Sequence, residues 1–291
     1  DTYLKKNKIK SKIINDKDIL ENSINLNLYS NDFTVDLTTT SYENLDRKGN
    51  DRYEFIIPKI KLIKNIENTT KLDGDFLWDS ESLIRNYDTN VTEKSNINNL
   101  VFNSNPIISK SGFYNDYEFI LKNSNTDSEN SKNFKETKNS SILGLFQFNS
   151  SLPLIKKTKS RENILKPKLS FKIAPPHTKN YRNDEIDINV NNVYSINRIS
   201  KNDTLEGGIS LTYGGDYSII DSADDFEVFN FKIANNLRLD ENEDLTSSHQ
   251  INQKTSNFFT ETSFNPNKYI NFKYNGSFRN NFSEISSETL L

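Results

Sequence analysis

Apolar and polar residues alternate with a period of two along most of this chain. In "SINLNLY", Ile24, Leu26 and Leu28 share one side. In "KLSFKIA", Leu169, Phe171 and Ile173 oppose Lys168, Ser170 and Lys172. "EIDINVN" sets Ile186, Ile188 and Val190 against Asp187 and Asn189, and "SILGLFQFN" aligns Ile142, Gly144, Phe146 and Phe148. "YINFKYNGSFR" sets Ile270, Phe272, Tyr274 and Phe278 against Asn271, Lys273, Asn275, Ser277 and Arg279. A 180° repeat in so many segments predicts strands rather than helices. Polar runs separate them: "DRKGND", "KNSNTDSENSKNFKETKNSS", "PPHTKNYRNDE", "DSADD" and "LDENEDLTSSHQ" read as loops. No helical period is long enough to cross between parallel strands, and no fixed repeat points to a solenoid or propeller. The expected fold is all-β, an antiparallel meander of roughly a dozen strands.

Composition decides what those strands face. Only 33% of the 291 residues are hydrophobic, against roughly 45–50% in soluble domains, and mean hydropathy is -0.75. Disorder does not account for this, because aromatics reach 11% and disordered chains are poor in them. Strands with one apolar and one wet face reconcile the two numbers. The wet face carries Lys, Asp, Asn and Arg at position after position. That pattern fits an outer-membrane barrel, where segments of roughly ten residues turn one side to lipid and the other to a hydrated lumen. Tyr29, Phe33, Tyr53, Trp78, Tyr114, Tyr117, Tyr213 and Tyr217 are expected near strand ends, as interfacial girdles. No stretch of ~18 apolar residues predicts a membrane helix. The chain begins at Asp1 and contains no Met, so it is read as a processed product or a fragment.

Candidate chemistry is sparse. Cysteine is absent, which excludes disulfides and thiolate metal sites. Net charge is -3, so no nucleic-acid partner is expected. His177 and His249 sit in polar loops without a ligand-spaced neighbour. "DENED" has the odd-position acids of a calcium loop, but Leu245 stands where the turn glycine belongs. "GGISLTYGG" lacks the Gly-Lys-Ser/Thr of a phosphate loop and reads as a strand, because Ile209, Leu211 and Tyr213 alternate with Ser210 and Thr212. No catalytic residue, metal or cofactor is expected, and the chain is not read as an enzyme.

Three segments carry a resemblance. "LKPKLSFKIAPP", "VNNVYSINRISKNDTLEGGISLTYGGDYSI" and "FEVFNFKIANNLRL" occur in that order and resemble the barrel domain of the LptD (Imp/OstA) family of lipopolysaccharide-assembly proteins. The matching positions are Pro167, Pro175, Asn197, Arg198, Asp203, Glu206, Gly207, Gly208, Tyr213 and Gly214. "DTYLKK", "YEFIIPKIKL" and "SGFYNDYEFILKNSNTDS" are also similar to the family. Lys201-Asn202 and Thr204 depart from the pattern, where many members carry Gly and Arg.

The resemblance implies a Gram-negative outer-membrane translocon with a barrel of about 26 strands. It also implies that lipopolysaccharide enters the outer leaflet without covalent chemistry in this chain. The implied partners are lipopolysaccharide, an LptE-like plug lipoprotein, outer-membrane lipids and periplasmic Lpt bridge proteins acting through an N-terminal domain. Residues 1–291 are expected to be the central part of the barrel, with that domain and the terminal strands outside it. An outer-membrane channel or receptor for solutes is the alternative. Lys168, Lys172, Lys273 and Arg279 are expected to face the lumen, where they would attract lipopolysaccharide phosphates. Arg198, Asp203 and Glu206 are expected to tie a loop into the barrel mouth.

Overall fold

A computed structural model describes residues 18–134, 138–176, 179–281 and 283–290. "DTYLKK" at the start and His177 lie outside the described residues. The strands, in chain order, are β1 (Ile19–Tyr29), β2 (Phe33–Asn44), β3 (Tyr53–Ile66), β4 (Gly74–Tyr87), β5 (Val91–Ser104), β6 (Ile107–Ile108), β7 (Tyr114–Glu129) and β8 (Asn139–Ser151). They continue as β9 (Leu154–Lys157), β10 (Arg161–Ala174), β11 (Gly208–Asp221), β12 (Phe226–Arg238), β13 (Phe258–Asn267), β14 (Ile270–Phe278) and β15 (Glu284–Leu290). They form one sheet in chain order, with the short β6 and β9 paired only onto β7 and β10. This is an antiparallel meander. Successive connections therefore leave from opposite strand ends. The connections 45–52, 130–138, 175–207 and 239–257 share one end with the tight turn 88–90, whereas 30–32, 67–73, 105–113, 152–160, 222–225 and 268–269 leave from the other.

The contacts fall into two compact units. The first runs to Thr70 and adds Asp75–Val101 and Leu121–Leu143. Its strands have one apolar face that is open: Ile24, Leu26 and Leu28 are 68%, 61% and 61% exposed. Register continues that face, because Leu26 pairs with Leu37 and Leu37 with Ile60. The opposite face is charged and internally paired. Arg85 Nε donates to Glu54 at 2.7 Å. Glu93 is buried and accepts from Tyr87 (2.9 Å), Ser131 (2.5 Å) and Asn133 (2.9 Å). One expectation fails here. The polar run from Lys122 to Ser128 is not a loop but the second half of β7. Ser124, Thr126 and Ser128 are buried on one face, and Asn123 and Asn125 bond to neighbouring polar groups on the other. This polar half-strand persists with Asn123 and Asn125 bonded to side chains of the neighbouring strands.

The second unit holds Lys71–Gly74, Phe102–Ile120 and Gly144 onward. The inversion recurs in β10: Leu169, Phe171 and Ile173 are 39%, 37% and 41% exposed, whereas Ser170 and Lys172 are 2% and 3% exposed. The apolar side of β8 continues it, with Phe148 opposite Phe171 and Phe146 opposite Ile173. A second expectation fails in this unit. Ile186, Ile188 and Val190 alternate but form no strand, and "VYSINR" is a run of turns. These apolar side chains join Val193, Ile199, Leu245 and Ile251 in a buried cluster that rests on Ala234 of β12 and Phe259 of β13. Asparagine side chains replace the missing ladder: Asn192 Oδ1 accepts from Asn189 N, and Asn192 Nδ2 donates to Asp187 O, both at 2.9 Å. Burial from several sides removes the need for a sheet partner. Of the expected girdle residues, Tyr29, Phe33, Tyr53 and Tyr114 stand at strand termini, whereas Trp78, Tyr117, Tyr213 and Tyr217 lie inside strands.

An open apolar face belongs in hydrocarbon. Phe171→Lys is expected to cost about 2–4 kcal/mol of stability in a bilayer, read from urea unfolding in lipid vesicles. Phe171→Leu is expected to cost less than about 1.5 kcal/mol.

Candidate functional site

Four strands of the second unit lay polar side chains in two rows. One row is Gln147, Lys172, Ser210 and Arg238, and the next is Asn149, Ser170, Thr212 and Asn236. Alternation puts all eight on the face opposite Leu169 and Phe171. The 175–207 connection lies over these rows. Gln147 Nε2 donates to Tyr194 O at 2.8 Å. Lys172 Nζ donates to Ser195 O and Ile196 O, both at 3.0 Å. Loop carbonyls are thereby satisfied by the sheet rather than by water.

Arg198 descends from this loop into the rows, with its side chain fully buried. Its Nε and Nη2 donate to the two oxygens of Glu206 at 2.7 and 2.5 Å, a bidentate pair. Nη1 reaches Thr212 Oγ1, and Nη2 reaches Ser210 Oγ and Asn236 Oδ1, all at 3.2 Å. Arg238 also donates to Glu206 and, through Nη2, to Gly207 O at 2.5 Å. Lys172 approaches the same carboxylate at 3.5 Å. Burial by itself would raise the Glu206 carboxyl; Arg198, Lys172 and Arg238 outweigh it and hold the group well below the ordinary carboxylate range.

Two glycines make the close approach possible. Gly208 has φ +92°, and a Cβ there would lie 2.8 Å from Arg238 Nη2. At Gly214 a Cβ would meet Ile233 O at 2.0 Å and Tyr194 Oη at 2.7 Å. Asp203 belongs to a different contact. It takes Lys179 and the Tyr181 hydroxyl, the latter at 2.6 Å. Burial, then the Asp203 bond, raises Tyr181 above its ordinary range. The 239–257 connection is sewn to the same loop: Tyr181 N donates to Asp244 O at 2.6 Å, and Thr246 Oγ1 to Asp184 O at 2.5 Å.

The structure thus brings Arg198, Glu206, Gly207, Gly208 and Lys172 together. Asn197 caps the adjacent turn weakly, with Nδ2 3.5 Å from Lys201 O. Pro167 and Tyr213 are exposed on the apolar side, and Pro175 follows β10. Lys168 pairs with Asp216 beneath the Tyr194 ring. Lys273 pairs with Glu261 at 2.9 Å. Arg279 is exposed in the turn after β14. Sequence reasoning missed Arg238, Gln147 and Tyr194. Arg238 shares its strand face with Asn236 and Lys232, and that polar parity is the only trace of its role.

Glu206→Gln leaves three buried cations without their counter-charge, at an expected cost of about 3–5 kcal/mol. Limited proteolysis within 175–207 at neutral pH reads this out. Because the folded Glu206 titrates below its unfolded value, its stabilisation is complete above the unfolded value of about 4.3. It is lost only as pH falls through the lower folded value. The wild-type loop is expected to stay protease-resistant through pH 5 and to loosen in stronger acid, a dependence the variant lacks.

Among the described residues no helix is long and apolar enough to cross a membrane, and no group of three His, Cys, Asp or Glu residues is placed to hold a metal. No curated protein matches the chain. A family model described as LptD, LPS transport system D, matches residues 1–290. Members are outer-membrane β-barrel components of lipopolysaccharide transport, consistent with the all-β meander and its open apolar face. The chain belongs to the LptD family and acts in lipopolysaccharide transport at the outer membrane.

Proposed function

We propose that the chain forms the central wall of the barrel through which lipopolysaccharide reaches the outer leaflet, and that it makes and breaks no covalent bond itself. The observation that carries this reading is the inversion of burial: leucine, isoleucine and phenylalanine exposed on one face, lysine, serine and glutamine buried on the other. The apolar face meets hydrocarbon, and the polar face offers sugars and phosphates a hydrated surface. Energy for movement then comes from elsewhere in the transport system. An LptE-like lipoprotein against the polar face, and periplasmic bridge proteins upstream, complete the reading.

Of the basic residues, Lys168 is the best placed to meet a phosphate. Its side chain is 28% accessible, and it lines a cavity of about 390 Å³ with Lys166, Lys232, Asn149, Tyr194 and Asp216. Lys172 is sealed beneath the loop, so it serves attachment rather than contact. Lys273 is ion-paired as Lys168 is, but it shares its pocket with three acids, Asp187, Glu261 and Glu288, and Arg279 stands in an exposed turn.

Lys166→Glu combined with Lys168→Glu, in the full-length protein, is expected to lower lipopolysaccharide delivery to the surface several-fold while heat-modifiable migration stays normal. Unchanged delivery with normal assembly would remove these lysines from the path. A photoreactive amino acid at Asn149 is expected to capture lipopolysaccharide in energised cells. Absence of capture there sinks the polar-face route.

A further inference from the structure

One part of the open apolar face is not apolar. Two register rows in the first unit run Leu28, Val35, Leu62, Ser80 and Leu26, Leu37, Ile60, Ser82. Each row is apolar across three strands and then meets a serine on β4. The polarity continues onto the next strands as a chain of neutral groups. Ser80 Oγ donates to Asn98 Oδ1 at 2.7 Å, and Asn96 Nδ2 to Ser82 Oγ at 2.7 Å. Asn98 Nδ2 donates to Asn96 Oδ1 at 2.8 Å and reaches Asn123 Oδ1 at 3.4 Å. Asn125 Nδ2 donates to Asn123 Oδ1 at 2.6 Å, and Ser140 Oγ to Asn125 Oδ1 at 2.7 Å. On β7, Asn123 and Asn125 share their face with Phe119 and Leu121, and on β8 Ser140 shares its face with Ile142. Phe119, Leu121 and Ile142 are all exposed. The set is therefore a polar notch flanked by hydrocarbon-facing residues on both sides.

The notch is concave. It opens a cavity of about 480 Å³, lined by Ser82, Asn96, Asn125 and Ser140 with Lys94 and Lys138. Both lysines are exposed, and neither has an ion-pair partner among the described residues. Asp127 is the one acid on the lining, so two cations face one anion. The cavity lies toward the strand ends that carry the 88–90 turn and the 130–138 connection. Between strands of the first unit, the connections 45–52 and 130–138 at that end are longer than 30–32 and 67–73 at the other. In outer-membrane barrels the longer loops are extracellular and the short turns periplasmic, which places the notch at the outer leaflet.

We propose that this notch is a docking site for the phosphorylated sugar headgroup of lipopolysaccharide already in the outer leaflet, its acyl chains lying along the Leu62 and Leu121 sides. Carboxamides and hydroxyls match sugar hydroxyls, the two lysines match phosphate, and the flanking apolar residues match hydrocarbon. The proposal rests on the transport reading for its choice of lipid. It names a contact on the apolar face, distinct from the polar-face route.

The test uses full-length protein in mixed micelles with purified lipopolysaccharide, or with phosphatidylglycerol as a competing anionic lipid, and measures lipid retained after exchange. Wild type is expected to retain lipopolysaccharide against excess phosphatidylglycerol. Lys94→Glu with Lys138→Glu is expected to weaken retention on the order of tenfold. Asn125→Leu with Ser140→Ala, which removes a bonded pair on the lining while Asn123 Oδ1 keeps its Asn98 donor, is expected to weaken it as well. Equal retention by wild type and both variants, or equal displacement of lipopolysaccharide by phosphatidylglycerol, overturns the site. Retention is read on purified protein, so it is separate from delivery in cells. Lost retention with normal delivery supports the notch, and lost delivery at Lys166 and Lys168 bears on the route alone.

Discussion

Every long strand of this chain must satisfy opposite solvents at alternate residues. A strand buried on one face in water puts its apolar residues inward, and here they are the exposed ones. Hydrocarbon outside supplies the only environment in which Ile24, Leu26, Leu28 and Phe171 are content. It also requires that every backbone donor and acceptor be paired, which a strand-to-strand meander achieves through its ladder. The other face is then free to be polar, and its charges are handled locally by pairs such as Arg85 with Glu54 and Lys273 with Glu261. The low hydrophobic content follows directly, since half of each strand never needs to be apolar.

A polar face creates its own difficulty where it is covered. The 175–207 loop buries Lys172, Arg198 and Arg238 together, and isolated charges there would be prohibitive. Glu206 resolves this by receiving all three. Loop carbonyls take the donors that remain. Gly208 and Gly214 leave the space that Arg238 and Tyr194 occupy. The glycine-rich stretch is thus a packing requirement of a charged clamp. The hydrophobic cluster around Ile188 and Leu245 adds an apolar layer under the same loop, so two unrelated forces hold one segment.

Much of the fold was legible because period-two alternation is a direct consequence of strand geometry. β14 could be read along its whole length, and β1, β10 and β11 in part, over residues 23–29, 168–174 and 209–213. The failures have one cause seen from two sides. Ile186–Val190 alternates like a strand, yet its partners are other loop residues and the sheet surface, which no local pattern encodes. Residues 122–128 look like a loop because apolar residues are absent, yet Asn123 and Asn125 pair across strands. Local periodicity reports which sides of a segment differ, and it is blind when neighbours distant in sequence decide the environment. Arg198 and Glu206, eight residues apart in one stretch, could be suspected. Arg238, thirty-two residues from Glu206, could not.

The chain therefore uses two kinds of polar cluster under two kinds of cover. Beneath the loop it uses full charges, which can be neutralised by a bidentate carboxylate held in place by packing. On the hydrocarbon side it uses carboxamides and hydroxyls, which satisfy one another without net charge. The division follows from desolvation cost: an unpaired ion facing lipid costs several kcal/mol, whereas an amide whose partners are other amides costs far less. Lys94 and Lys138 stand at the edge of the neutral cluster rather than within it, where long side chains can extend toward the interface. Their position keeps charge out of the hydrocarbon while leaving it within reach of an anionic headgroup beside the notch.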